Sequence, residues 1–283
     1  MKKFLVALLL ILMLFTVCAC TYVPSTSFLS RSRQNALVET YGTPQAVVTL
    51  SYSRTGGSDR EVRLTYDLLL SQTPIAVIRF IQLASEGVYN DTLIDTYNTS
   101  YQYMVMGRYA AIKETEGSST YTYYNRTSDV TFAGEFKTNG YKEPEGGYAQ
   151  FSTLSLAMYH NDTKDSSSFD AANGTLILAL DKISLNANNY AVFATMNTFE
   201  YRYGNTGEFT KRSKVDDAIL ADLKSFTSTT SRDVYEDYDV YDDDSKGSST
   251  SIRMLSSRVF IRVEIVGAVG KSSDWSKLPK IGK

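Results

Sequence analysis

One histidine and two cysteines are all the imidazole and thiol that the 283 residues contain. A Ser-His-Asp triad has His160 as its sole base, and no nucleophile elbow lies near it. A Cys/His zinc site lacks ligands. An EF-hand also fails: behind Asp242, Asp244 and Gly247, Lys246 takes a ligand position and Arg253 stands where the bidentate Glu belongs. No glycine-rich phosphate loop and no internal repeat is present. Lys and Arg number 29 against 31 Asp and Glu, a formal charge of −2, so no basic excess points to nucleic acid. Long apolar runs are scarce too, and the one over residues 4–17 is too short to favour a membrane span. The expectation is a chain with no cofactor and no metal, and with His160 as a surface residue at a strand end.

What is present begins with a targeting segment. Lys2 and Lys3 form a positive n-region ahead of the apolar run, which ends in Val17-Cys18-Ala19-Cys20. That ending resembles the lipobox of bacterial lipoproteins, with a small residue before the cysteine to be modified. The expectation is a signal peptide over residues 1–19, with Cys20 acylated as the mature N-terminus. The chain would then be lipid-anchored at the extracytoplasmic face of the cell membrane. One mature cysteine leaves no disulfide, in a compartment that permits them. Residues 20–44, rich in Ser and Thr, read as a tether.

With 43% hydrophobic residues the remainder has enough apolar content for a real core. Ala46-Val47-Val48-Thr49-Leu50-Ser51-Tyr52-Ser53 reads as a strand, Gly56-Gly57-Ser58 as a turn, and Val62-Arg63-Leu64-Thr65-Tyr66-Asp67-Leu68 alternates as the returning strand of a hairpin. Thr73 is then placed as an N-cap and Pro74 at the first helical position. Val77, Phe80, Ile81 and Ala84 share one helical face, and Gly87 stops the helix in the left-handed conformation. Tyr101-Gln102-Tyr103-Met104-Val105-Met106-Gly107 reads as another strand.

This block resembles the front half of a cyclophilin, the peptidyl-prolyl isomerase family. Thr73-Pro74-Ile75-Ala76-Val77-Ile78-Arg79-Phe80 keeps the family's Pro, Val and Phe in register, Gly87-Val88-Tyr89 keeps G-x-Y, and Tyr103-Met104-Val105-Met106-Gly107 is similar to F-M-I-Q-G. The likeness resumes at Glu135-Phe136, at Thr153-Leu154-Ser155-Leu156-Ala157-Met158, at Asn173-Gly174-Thr175-Leu176-Ile177-Leu178 and over residues 185–193, so it covers about 45–196. It implies a mainly β fold: a cyclophilin-like antiparallel β-barrel over 45–270 with two helices, near 74–86 and 214–226. A late acidic insertion, about 227–257, and a tail over 271–283 complete the division.

The resemblance also implies a site. Tyr103, Met104, Ile177 and Leu185 match the apolar pocket that holds a substrate proline ring. Met106 and Thr175 match the polar backing residues, and Thr96 falls where the family has its catalytic arginine. Thr offers no fixed cationic fork. Arg79, Arg108 and Arg126 are the cations that would have to reach the site from elsewhere. Two readings follow. One is a weak peptidyl-prolyl cis-trans isomerase acting on proline-containing or unfolded exported polypeptides. The other is a non-catalytic cyclophilin-fold lipoprotein, peptide-binding or structural.

Three further stretches carry expectations. Tyr121-Thr122-Tyr123-Tyr124 reads as one wet face of an exposed strand, the alternative being a binding surface of amphipathic rings. Residues 198–207 read as a polar connector. Residues 233–244 hold seven acids among three tyrosines and read as a solvated insertion, the alternative being a loose carboxylate site at Asp237, Asp239 and Asp242.

Overall fold

The hairpin comes first because alternation alone determines it. In the computed structural model β2 (Gln45–Tyr52) and β3 (Arg60–Leu68) pair antiparallel from Gln45↔Asp67 to Tyr52↔Arg60. Every second residue of each, Ala46, Val48, Leu50 and Tyr52 against Val62, Leu64, Tyr66 and Leu68, is buried. The residues described are 22–23, 29–53, 59–127, 135, 148–160, 172–186, 190–204, 207–212, 217–225, 235–242 and 247–281. The signal peptide, Cys20, the turn at Gly56-Gly57-Ser58, Phe136, residues 161–171 and the start of the second helix at 213–216 lie outside them.

Ahead of the hairpin come β1 (Tyr22–Val23) and helix α1 (Arg31–Tyr41). Behind it come α2 (Pro74–Ser85), β4 (Thr92–Asn98), β5 (Tyr103–Lys113), β6 (Tyr121–Asn125) and β7 (Tyr148–Phe151). Next are β8 (Leu156–His160), β9 (Ala172–Ala179), β10 (Ile183–Asn186), β11 (Tyr190–Tyr203) and β12 (Thr210–Arg212). The last group is α3 (Asp217–Ser225), β13 (Tyr235–Tyr241), β14 (Ser249–Leu255), β15 (Val259–Val266) and β16 (Lys280–Ile281). Eight strands close a ring in the order β5-β4-β15-β2-β3-β11-β8-β9, with β9 pairing back onto β5 and every pairing antiparallel. An eight-stranded ring leaves an interior that side chains just fill. The far half of β5 leaves the ring and carries a wing, β6-β13-β14.

Helix α2 fits against the barrel through Phe80, whose ring lies 4.9 Å from Phe193 and 5.5 Å from Tyr89 by centroid. Val77 and Ala84 are buried beside it, as the apolar stripe requires. Its C-terminus closes as a Schellman motif: Val88 N–H donates to Leu83 O at 2.9 Å, Gly87 N–H to Ala84 O at 3.1 Å, and Gly87 takes φ 76°. Its N-terminus corrects the expectation. Thr73 makes no side-chain cap, and its hydroxyl instead donates to Val192 O at 3.3 Å. The cap comes from Glu135, which accepts from Ile75 N–H at 2.7 Å and Ala76 N–H at 2.9 Å. Burial pushes the Glu135 carboxyl up to about 8, against the two N–H groups that pull it down.

Several expectations about the flanks are corrected. Part of the expected tether is α1, capped by Ser30 and anchored by buried Leu37 and Tyr41. Among the described residues the α-helices therefore number three. The tail is docked as well: Trp275 stacks on Tyr41 at 5.5 Å, and Leu278 and Ile281 are buried. Residues 235–241 of the acidic run are a strand, not a solvated insertion. Glu236, Asp237 and Asp239 are exposed, but β13 pairs with β14 along its whole length, and Val240 and Met254 are buried against the wing. The tyrosine run on β6 is packed rather than wet, with Tyr123 4.6 Å from Tyr238 and Tyr124 6.2 Å from Tyr241. The polar connector is mostly the continuation of β11, which runs to Tyr203.

Candidate functional site

Alternation splits β5, β8, β9 and β11 into two faces. Met104, Met106, Leu156, Met158, Leu176, Leu178 and Phe193 join the main core inside the barrel. Tyr103, Val105, Ala157, Tyr159, Ile177, Ala179, Tyr190 and Val192 form a separate cluster on the outer wall. The β7-β10 ribbon lies over that wall and adds Phe151, Ile183 and Leu185.

Tyrosines dominate the outer wall. The Tyr103 ring stands edge-on to Tyr190 at 6.0 Å, with the two hydroxyls 3.2 Å apart. Tyr159 and Phe151 flank Tyr190 at 5.3 Å and 6.3 Å, and Tyr101 stacks on Tyr103 at 6.5 Å. Asn98 Nδ2 donates to the Tyr103 hydroxyl at 3.3 Å. Burial, the Tyr103 hydrogen bond and its neighbouring tyrosines push the Tyr190 phenol up, so it stays neutral. Tyr101 is 56% exposed, while Tyr159 and Tyr190 are half-buried. Tyr103, Phe151, Ile177 and Leu185 are buried, so the wall presents the rings and polar tips of Tyr101, Tyr159 and Tyr190.

At its rim sits an ion pair made by two bulges. Ile94 faces Met106 and Thr96 faces Val105, so Asp95 is the extra residue on β4. Thr92 faces Ala110, so β5 bulges in turn around Gly107, which takes φ 84°. The bulges bring Asp95 and Arg108 together: Arg108 Nε donates to Oδ2 at 3.0 Å and Nη2 to Oδ1 at 2.5 Å. The Asp95 side chain is wholly buried and that of Arg108 is 27% exposed. Burial pulls the Arg108 guanidinium down, but the Asp95 charge and hydrogen bonds outweigh it and hold it firmly protonated. Tyr159 and Tyr109 feel its charge. Among the described residues, Nη1 makes no hydrogen bond.

The expected site residues divide accordingly. Tyr103, Ile177 and Leu185 meet in the outer cluster. Met104 and Met106 do not join them, because β5 alternation turns both into the barrel. Thr175 is fully buried, its hydroxyl without a partner among the described residues. Thr96 lies opposite Val105 and donates its hydroxyl to Asp95 Oδ1 at 2.7 Å. Of the three candidate arginines, Arg79 is buried on α2 beside Glu86 and Tyr89, and Arg126 lies over the Tyr124 ring at 5.6 Å. Arg108 is the one beside the outer cluster. Sequence reading missed Tyr159 and Tyr190 as wall residues, although each alternates with an interior neighbour, and it missed Phe151 and Asp95.

No family model matches the chain, and no curated protein does. Solved structures do. A Cryptosporidium parvum cyclophilin-type peptidyl-prolyl cis-trans isomerase is 13% identical with a TM-score of 0.40, covering 81% of this chain and 99% of that one. The same protein in the presence of the dipeptide Ala-Pro gives 13% and 0.40, with 80% and 99% covered. The Mimivirus cyclophilin gives 13% and 0.43, with 81% and 91% covered. Scores of this size do not assign a family.

Proposed function

We propose that the chain is a cyclophilin-type peptidyl-prolyl isomerase lipoprotein of low turnover, acting on proline-containing extended segments of exported polypeptides. The observation that carries the reading is the outer wall: the exposed ring of Tyr101 and the half-buried rings of Tyr159 and Tyr190, with a guanidinium at the rim. Proline-rich extended segments dock in aromatic-lined grooves because their backbone is already ordered. Isomerisation must cross a barrier of roughly 18–20 kcal/mol set by amide resonance, so a binding wall alone does not accelerate it. Thr96 stands at the family's arginine position and is engaged with Asp95, which supports slow rather than efficient catalysis. That same substitution favours the second reading, a peptide-binding protein without turnover.

The test uses the full-length chain in detergent and a proline-containing tetrapeptide. Weak binding that Tyr190→Ala abolishes, with measurable but slow cis/trans exchange by NMR, is the expected result. Turnover at the level of an efficient cyclophilin, or binding indifferent to Tyr190→Ala, would refute it. Anchoring belongs to the same proposal. Acyl chains on Cys20 hold the protein at the extracytoplasmic face, and Cys20→Ala is expected to release the processed chain from membranes.

A further inference from the structure

We propose that the cleft at the start of β4 binds an extended acidic polypeptide segment, which adds a short strand to the open edge of β5 and sets a carboxylate against Lys113 and Arg262. The site lies at the opposite end of β5 from the tyrosine wall and does not rest on the isomerase reading. The cleft holds about 500 Å³, a volume ordinary for a binding site, and opens between Ile112-Lys113 of β5 and Ile261-Arg262 of β15.

Strand pairing leaves this slot free. β4 begins at Thr92, just after Asp91 turns the chain with φ 58°. Beyond that point β15 keeps β2 as a partner to Val266 but has no described strand on its other side after Ile261. On the facing side β5 runs on to Lys113, paired with β6 alone. Ala111 N–H donates to Asp91 O at 3.1 Å, toward β4, and Glu114 N–H donates to Thr120 O at 3.2 Å, away from it. Alternation therefore turns the Lys113 N–H and C=O to the side of Ala111, where no described strand meets them. An open edge of this kind is a template for another strand.

Side chains select which strand pairs there. Lys113 lies opposite Tyr121 on β6 with its Nζ 6.0 Å from that ring, and the Tyr121 ring reaches Phe260 of β15 at 5.8 Å, so these groups and Arg262 share the outer face. Lys113 and Arg262 are exposed, and among the described residues neither is in an ion pair. Asp91 is the one carboxylate lining the cleft, which leaves two cations against one acid. Ile112 and Ile261 supply the opposite, apolar side. Because side chains alternate along a strand, an acid between two apolar residues matches both sides at once. A strand that is basic or wholly apolar leaves the cations uncompensated and is disfavoured.

The experiment titrates the end-blocked pentapeptide Thr-Val-Glu-Val-Thr, which contains no proline, onto the full-length chain in detergent. Weak saturable binding is expected, with slowed amide hydrogen exchange over residues 111–113 read by mass spectrometry. Gln in place of the peptide's Glu, or Arg262→Gln, should weaken binding about threefold to fivefold, the scale of an exposed ion pair. Methylating the peptide's backbone nitrogens should abolish binding, because the charge stays and the strand pairing goes. Lys113→Glu/Arg262→Glu should reject the acidic peptide and accept Thr-Val-Lys-Val-Thr, and as both side chains are exposed the double variant is expected to fold. Tyr190→Ala should leave this binding unchanged. Loss of binding in that variant places the peptide on the tyrosine wall and overturns the proposal. So does an absence of binding, or binding indifferent to the Glu. If the methylated peptide binds as tightly and inorganic phosphate displaces it, the cleft holds an anion without strand pairing, and the proposal fails as well.

Discussion

The inner and outer faces of the same four strands are built from different chemistry. Inside, β5, β8, β9 and β11 contribute Met104, Met158, Leu176, Leu178 and Phe193, aliphatic groups and one ring that need no hydrogen bond. Outside, they contribute Tyr103, Tyr159 and Tyr190, each with an apolar body and a hydroxyl, and a buried ion pair at the edge. These interior groups are held by exclusion of water. The wall is apolar enough to pack under β7 and β10, yet it keeps donors and acceptors at its surface. That difference separates a core from the surface proposed to bind peptide.

Breaking the interior should have the largest effect. Phe80→Ala removes a ring packed on Phe193 and Tyr89 and should cost roughly 3–5 kcal/mol by chemical denaturation. Asp95→Ala tests the wall's rim. It strands the Arg108 charge, and because that side chain keeps some water the cost should fall near the lower end of the usual range, about 3 kcal/mol.

Glu135→Ala tests the barrel end and should cost about 1–2 kcal/mol by uncapping α2. Its carboxyl also has a distinctive pH signature. The folded-state pKa is raised from 4.5 to about 8, so the folded state holds a proton that the unfolded state releases. Its contribution is fully present below about 4.5 and is lost as pH rises through about 8. Melting scans across that window should slope downward, and Glu135→Gln should flatten them. The smallest effect on stability is expected at the wall's exposed edge. Tyr101→Ala should change unfolding free energy by less than about 0.5 kcal/mol, yet weaken proline-peptide binding several-fold.

Period-two alternation made β2 and β3 readable, and it also runs through the closing strand β15, Val259–Val266. Helix α2 was readable from Pro74, its apolar stripe and Gly87. The cap from Glu135 was not, because it lies 60 residues from Ile75 and no local pattern encodes it. Helix α1 was hidden for a related reason: its face is mostly polar, and only contact with the docked tail gives Tyr41 a place to bury. On β13 no clean alternation marks the strand: Glu236 shares the side of the packed Tyr238 and Val240, and Asp237 and Asp239 line the other. The candidate site was half readable. Tyr103, Ile177 and Leu185 fell together on the outer face, whereas the bulges that place Thr96, Asp95 and Arg108 come from pairing between strands. A glycine within β5 was the one local hint of them.

The short parallel pairing of β1 with β16, Tyr22 opposite Lys280 and Val23 opposite Ile281, bears on how such a protein would ride on a membrane. From Cys20 to Tyr22 the chain can reach about 7 Å at most. With acyl chains at Cys20, as proposed, the barrel would therefore be moored against the lipid headgroups rather than leashed at a distance. Residues 24–30 and α1 follow that mooring point and so add no reach. A moored barrel samples only the layer of polypeptide emerging next to the bilayer, which turns anchoring into a filter on which segments it meets.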